Sequence, residues 1–170
     1  MPLFFQTPRL VIREFVPGDE DAYMALYDDE EVILHLPKRS RKENLEIYRA
    51  TLADYAAGKV LGRWGIFNNG DGEYIGTCLL RNFYQEEGKV EIGYLLAKKY
   101  WGKGIASEMA QILVGYGFTY TDTKEIVAVT TLSNIGSQKV LLNAGLTRLP
   151  NFVRDSEELA YFSMKRPASL

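Results

Sequence analysis

Hydrophobic positions along the chain switch between a two-residue and a three-to-four-residue period, and each switch marks an element. Leu10 to Arg13 reads as a short strand with Leu10 and Ile12 on one face. Pro17-Gly18-Asp19 turns the chain into a helix over about 20–27, whose acidic first turn suits the helix dipole. Residues 28–39 follow no period. Ser40 and Glu43 then form a capping-box pair, and Leu45, Tyr48, Leu52 and Tyr55 keep helical spacing until Gly58. Residues 63–68 and 74–82 read as strands joined by Asn-Gly-Asp-Gly, whose residues accept the positive φ of a hairpin turn. A third strand covers 89–97. After Gly104 a helix carries Ile105, Met109, Ile112, Leu113 and Tyr116 on one stripe. Residues 126–131, rich in β-branched side chains, read as a buried central strand. A helix over about 135–144 ends at Gly145. Strands at 146–149 and 160–165 close the chain around a polar loop, 150–158.

This order, β-α-α-β-β-β-α-β-α-β-β, predicts an α/β (α+β) fold built as one domain over residues 1–170. Composition narrows the class little: 46% hydrophobic and 25% charged residues are ordinary for a globular chain. The formal charge of −2 offers no global attraction to nucleic acid or to an anionic membrane. A single cysteine, Cys78, excludes an intrachain disulfide and fits a reducing, cytoplasmic setting. No apolar run approaches the roughly 20 residues of a membrane span. The opening MPLFFQTPRL is too short and too soon charged for a secretory signal.

The most telling segment is EIGYLLAKKYWGKGIASEM, Glu91 to Met109, an apolar strand running through a basic turn into a helix opened by Gly102 and Gly104. Free N–H groups at a helix N-terminus, with no Cβ at the two glycines, make a phosphate site. No P-loop string exists in the chain. A dinucleotide fingerprint fails at its third glycine, where Ser107 stands, although Glu125 lies near the ribose-binding spacing.

The strand–turn–helix at 90–118 resembles the acetyl-CoA motif of the GNAT N-acetyltransferases, whose turn reads [QR]-x-x-G-x-[GA]. Here Lys99-Tyr-Trp-Gly102-Lys-Gly104 places lysine where Gln or Arg is usual. TPRLVIR at 7–13, EIGY at 91–94 and NIGSQKVLLNAGL at 134–146 resemble the RimJ/RimL-like ribosomal-protein branch. The resemblance implies a mixed, mostly antiparallel central sheet flanked by helices. In it the strand at 90–97 is bulged and splays from 126–131, and acetyl-CoA lies in the gap. It implies that N–H groups of Trp101, Gly102, Lys103, Gly104, Ile105 and Ala106 cradle the CoA diphosphate, with a hydroxyl from Ser107 and positive field from Lys99 and Lys103. The backbone of Leu95, Leu96 and Ala97 would pair with pantetheine and hold the oxyanion.

Asn134 reads physically as a helix cap, and the resemblance adds a hydrogen bond to pantetheine. Many GNAT enzymes protonate the departing thiolate with a tyrosine whose position here is Leu141; in the RimL-like branch the serine matching Ser137 takes that role. A carboxylate or water must collect the amine proton, because a lysine-like amine has a pKa near ~10. Glu91 is the candidate, with Glu157 and Glu158 as rivals. His35 has no metal set around it, and Cys78 has no His or Asp partner for an acyl intermediate. Trp64, Tyr94, Tyr100 and Trp101 read as core or cleft wall. The acidic runs 28–31 and 155–158 would attract a cationic amine unless Lys38, Arg39, Arg41 and Lys42 cancel the first. The expected activity is acetyl transfer from acetyl-CoA, without metal, to a protein N-terminus or a small amine by direct attack. The expectation includes no nucleic-acid or membrane partner and leaves room for a homodimer. The competing reading is a non-catalytic acyl-CoA-binding or sensing module that kept the fold.

Overall fold

The structure, a computed structural model describing residues 3–169, adds a strand that the sequence pattern does not announce. β1 (Leu3–Gln6) pairs antiparallel with β2 (Leu10–Arg13), and the register shifts between Leu3 and Phe5. That irregularity breaks the two-residue alternation by which a strand is read, so the adjacent Phe4 and Phe5 carry no period. Phe4 stacks on Trp64 with ring centroids 4.4 Å apart.

Two compact units organise the chain: the N-terminal part up to Leu79 together with Tyr94–Gly102, and Leu80–Gly93 together with the chain from Lys103 onward. In the first unit β2 also pairs antiparallel with β3 (Gly62–Asn68), from Leu10 opposite Asn68 to Arg13 opposite Gly65. Leu10 and Ile12 are both buried, as their shared face requires. A 3-10 turn at Pro17–Asp19 leads into α1 (Glu20–Asp28), which packs on α2 (Arg41–Ala56). The buried face of α2 is centred on Asn44, Tyr48 and Thr51, not on the purely apolar 45/48/52/55 stripe. Leu45, Leu52 and Tyr55 flank it, half-buried. Thr51 satisfies its hydroxyl on the carbonyl of Ile47, 2.9 Å away. The phenol of Tyr48 donates to the carbonyl of Val16 at 2.5 Å, and burial pushes its pKa up to about 12.

β4 (Tyr74–Asn82) and β5 (Lys89–Leu96) each begin in one unit and end in the other. In the second unit α3 (Ile105–Tyr120) buries Ile105, Met109, Ala110, Leu113, Val114, Gly117 and Phe118. The predicted stripe is thus offset, with Ile112 and Tyr116 only half-buried at its margin. β6 (Glu125–Thr131) runs parallel to β5 from Lys89 opposite Glu125 to Glu91 opposite Val127. Along its other side β6 is antiparallel to β8 (Glu157–Lys165) from end to end. α4 (Ile135–Asn143) precedes β7 (Thr147–Arg154).

The predicted polar loop 150–158 is instead strand and tight turn. Asp155 and Ser156 both take positive φ, 50° and 64°, which closes a hairpin, and the register slips between Leu149 and Phe152 around Pro150. Proline and charge masked a strand whose irregularity absorbs them. Hydrogen bonding joins eight strands in the order β1-β2-β3-β4-β5-β6-β8-β7, a mixed, mostly antiparallel sheet. Among the described residues no helix is long and apolar enough to cross a membrane.

Candidate active site

The path from β5 into α3 is fixed by side chains on both sides of the turn. Lys98–Tyr100 form a 3-10 turn after Ala97, whose N–H donates to the carbonyl of Ile75 at 2.9 Å. The ammonium of Lys99 pairs with Glu73, and the phenol of Tyr100 donates to the other Glu73 oxygen at 2.5 Å. Those two donors hold the Glu73 carboxyl below its ordinary range, and burial beside that carboxylate pushes Tyr100 up to about 12. Trp101, though largely exposed, turns its indole N–H back onto the carbonyl of Leu96 at 2.9 Å. At Gly76 of β4 a Cβ would meet the carbonyl oxygen of Leu95 at 2.1 Å, so no other residue fits. Leu95 and Leu96 bury their side chains.

Gly102 and Gly104 both take left-handed backbone, φ 71° and 75°, and Trp101 to Gly104 are exposed. Gly104 is the N-cap of α3 and supplies no side-chain cap. Nothing lies within 4 Å of where a Gly102 Cβ would stand. The first intrahelical bond joins the N–H of Glu108 to the carbonyl of Gly104, which leaves the N–H groups of Ile105, Ala106 and Ser107 without a helical acceptor. The turn therefore presents an open, positively polarised helix end. Lys98 and Lys99 contribute less field than their charges suggest, being paired with Glu31 at 2.6 Å and with Glu73.

At α4 the side chain of Asn134 accepts from the N–H of Ser137 at 3.1 Å, the capping bond that an Asn before a helix predicts. Ser137 thus stands in the first turn of α4.

Glu91 is 5% exposed and lies inside an ion-pair cluster of the second unit. One carboxylate oxygen accepts from Arg81 Nε at 2.8 Å; the other accepts from Arg154 Nη1 and Nη2 at 3.2 and 3.1 Å. The Arg154 guanidinium lies over the rings of Phe83 and Phe152, 5.7 and 5.9 Å from their centroids. Of the rivals of Glu91, Glu158 accepts from the amide of Asn151 at 2.9 Å, and Glu157 is exposed in the hairpin. Glu125 pairs with Lys89 at 2.9 Å and accepts from the hydroxyl of Ser163. Burial works against the Lys89 charge, but the Glu86 and Glu125 carboxylates outweigh it and hold its pKa above the ordinary value.

Cys78 is wholly buried, and that burial pushes its thiol pKa up, away from nucleophilic use. Among the described residues no group of three His, Cys, Asp or Glu side chains could hold a metal ion. Sequence reasoning did not single out Glu73, which anchors the turn, or Asn44, which is buried on α2. For Asn44 the signal was its place three to four residues from Tyr48 on the buried stripe.

A family model described as an acetyltransferase (GNAT) domain matches residues 9–147. The chain belongs to this family. This GNAT acetyltransferase is 32% identical over 155 residues to N-acetyltransferase p20 of Bacillus licheniformis, across 89% of this chain and 86% of that protein. The acetyltransferase from Agrobacterium tumefaciens str. C58 shares its fold with a TM-score of 0.82 at 21% identity, covering 98% of this chain and 95% of that one. RimL, a ribosomal L7/L12 α-N-protein acetyltransferase in complex with coenzyme A, gives a TM-score of 0.79 at 16% identity over 96% of this chain and 98% of its own. Ribosomal-protein acetyltransferases thus stand among the fold neighbours of this GNAT domain.

Proposed function

We propose that the chain, as one domain over residues 1–170, is an acetyl-CoA-dependent N-acetyltransferase whose acceptor is the primary amine of a protein N-terminus or of a small molecule. The observation that carries this reading is the uncapped, exposed N-terminus of α3, whose amides from Trp101 to Ala106 would take the CoA diphosphate, with Lys103 and Ser107 beside them. The pantetheine arm lies along the backbone of Leu95, Leu96 and Ala97, and the amide nitrogen of Asn134 donates to it. The neutral amine attacks the thioester carbonyl carbon, the oxyanion is held by backbone N–H on β5, and the C–S bond breaks. Ser137 gives the departing thiolate its proton, and the amine proton leaves through water. Glu91 supports the site by holding Arg81 and Arg154 through both of its oxygens. The fold shared with RimL supports a protein α-amine as acceptor. The lone buried thiol of Cys78 supports a cytoplasmic setting.

Pure protein mixed with acetyl-CoA and a panel of amines should release free thiol above the hydrolysis blank with at least one amine. Saturable CoA binding with no turnover across the panel would remove the enzyme reading. Glu91→Gln separates its two roles. Loss of thermal stability with an unaltered shape of the pH–rate profile is expected; disappearance of the acidic limb, where the rate falls as a base is protonated, would make Glu91 the proton acceptor.

A further inference from the structure

The turn between β3 and β4 reaches the glycine turn through one carboxylate, and all the residues involved lie in the first unit. Glu73, the residue before β4, is held at both of its backbone groups. Its N–H donates to Asp71 Oδ1 at 2.9 Å, and its carbonyl accepts from the N–H of Asn68 at 2.8 Å. Asn68 Oδ1 accepts in turn from the N–H groups of Gly70 and Asp71, at 2.7 and 3.4 Å. The Asn68 side chain also hydrogen-bonds the phenol of Tyr100. Residues 68–73 thus form a braced post whose two side chains, Asn68 and Glu73, both grip Tyr100.

What the post holds is the entrance to the glycine turn. One Glu73 oxygen takes the Lys99 ammonium, and the other takes the Tyr100 phenol at 2.5 Å. The Tyr100 ring is buried, whereas the next four residues, Trp101 to Gly104, are exposed. Two of those four are glycines with left-handed backbone. Glycine backbone has no side chain to pack it into place, so the last anchored residue before it sets where the turn runs. An exposed Lys–Glu pair adds little to that anchoring; the charge-assisted bond from a buried phenol adds more.

We propose that Glu73 and Tyr100 are positioning residues for the cofactor: they fix the course of the glycine turn, and through it the preference for a thioester that carries a diphosphate. The proposal rests on the acetyl-transfer reading above. Neither side chain meets the reacting atoms. Coulomb energy alone predicts the opposite sign at Glu73. Removing its carboxylate subtracts a negative charge and releases Lys99, and both changes favour an anion. Positioning predicts weaker binding instead.

Kinetics of the full chain with acetyl-CoA and with S-acetylpantetheine, which ends before the diphosphate, test this. Tyr100→Phe keeps the ring and every charge; it should raise the KM for acetyl-CoA about tenfold and hold kcat within about twofold. Glu73→Ala should do the same, and Glu73→Gln, which keeps an acceptor for the phenol, should recover most of that loss. With S-acetylpantetheine, kcat/KM should stay within about twofold of the parent in all three variants. If that thioester is no substrate, the split between KM and kcat decides alone. A lower KM in Glu73→Ala, an equal fall with both thioesters, a fall in kcat matching that in kcat/KM, or an unchanged KM in Tyr100→Phe would each overturn the proposal. If no amine releases thiol, the transfer reading falls by itself, and calorimetry with CoA judges the turn. Binding about tenfold weaker in Tyr100→Phe upholds the proposal; unchanged binding, or none in the parent, removes it.

Discussion

The N-termini of α2 and α3 are both polarised helix ends, and the molecule finishes them in opposite ways. At α2 the hydroxyl of Ser40 accepts from the N–H of Glu43 at 3.1 Å, and the Glu43 carboxylate accepts from the N–H of Ser40 at 2.6 Å. At α3 the cap is Gly104 in left-handed backbone, with no side chain to offer. The first arrangement closes the helix upon itself; the second leaves donors facing outward. Water can satisfy those donors, and burial of Ile105, Met109 and Leu113 along the helix stabilises α3 without a side-chain cap.

Exchanging the properties of the two ends should break this contrast most clearly at Gly104. Gly104→Val puts a β-branched side chain on a left-handed residue and a Cβ among the amides. CoA affinity by calorimetry should fall on the order of 100-fold while circular dichroism keeps its helical signal. An affinity within threefold of the parent would mean that the open end does not hold the diphosphate.

Chemistry beyond that grip is tested at α4. Ser137→Ala should lower kcat roughly tenfold with little change in the KM for acetyl-CoA. That loss is smaller than general-acid help often gives, because a thiolate leaves readily. An unchanged kcat would exclude the hydroxyl from proton delivery.

At the closed end, Ser40→Ala should lose about 1 kcal/mol of folding stability by denaturant titration and leave CoA affinity where it was. A matching loss of affinity would show that the two ends are not independent. The smallest effect is a pH slope. Hydrogen bonds from the Ser40 backbone and hydroxyl hold the Glu43 carboxyl below its ordinary range. Its contribution is therefore present above the unfolded carboxylate pKa and lost as pH falls through the folded one. The thermal midpoint of Glu43→Gln should drop less steeply than that of the parent between about pH 6 and about pH 3. Parallel curves would contradict the linkage.

Much of this could be read along the chain because it is local. The capping box at Ser40, the Asn134 cap, the glycine opening of α3 and the hairpin at residues 69–72 each depend on neighbours a few positions away. β1 and the β7–β8 turn escaped for a local reason too, since register shifts and an Asp-Ser turn scramble the alternation that marks a strand. Glu91 shows a different limit. Its residue type and strand position suggest a base, but Arg81 and Arg154 lie ten and 63 positions away along the chain.

Sequence alone determined the order of elements after β1, the family and the glycine turn into α3, because periodicity, caps and glycine backbone freedom act over a few residues. Tertiary structure alone decided which charges remain available. It paired Lys99 with Glu73, Glu31 with Lys98 and Glu91 with two arginines. Coulomb energy depends on distance through space, and folding sets those distances between residues that the chain keeps far apart.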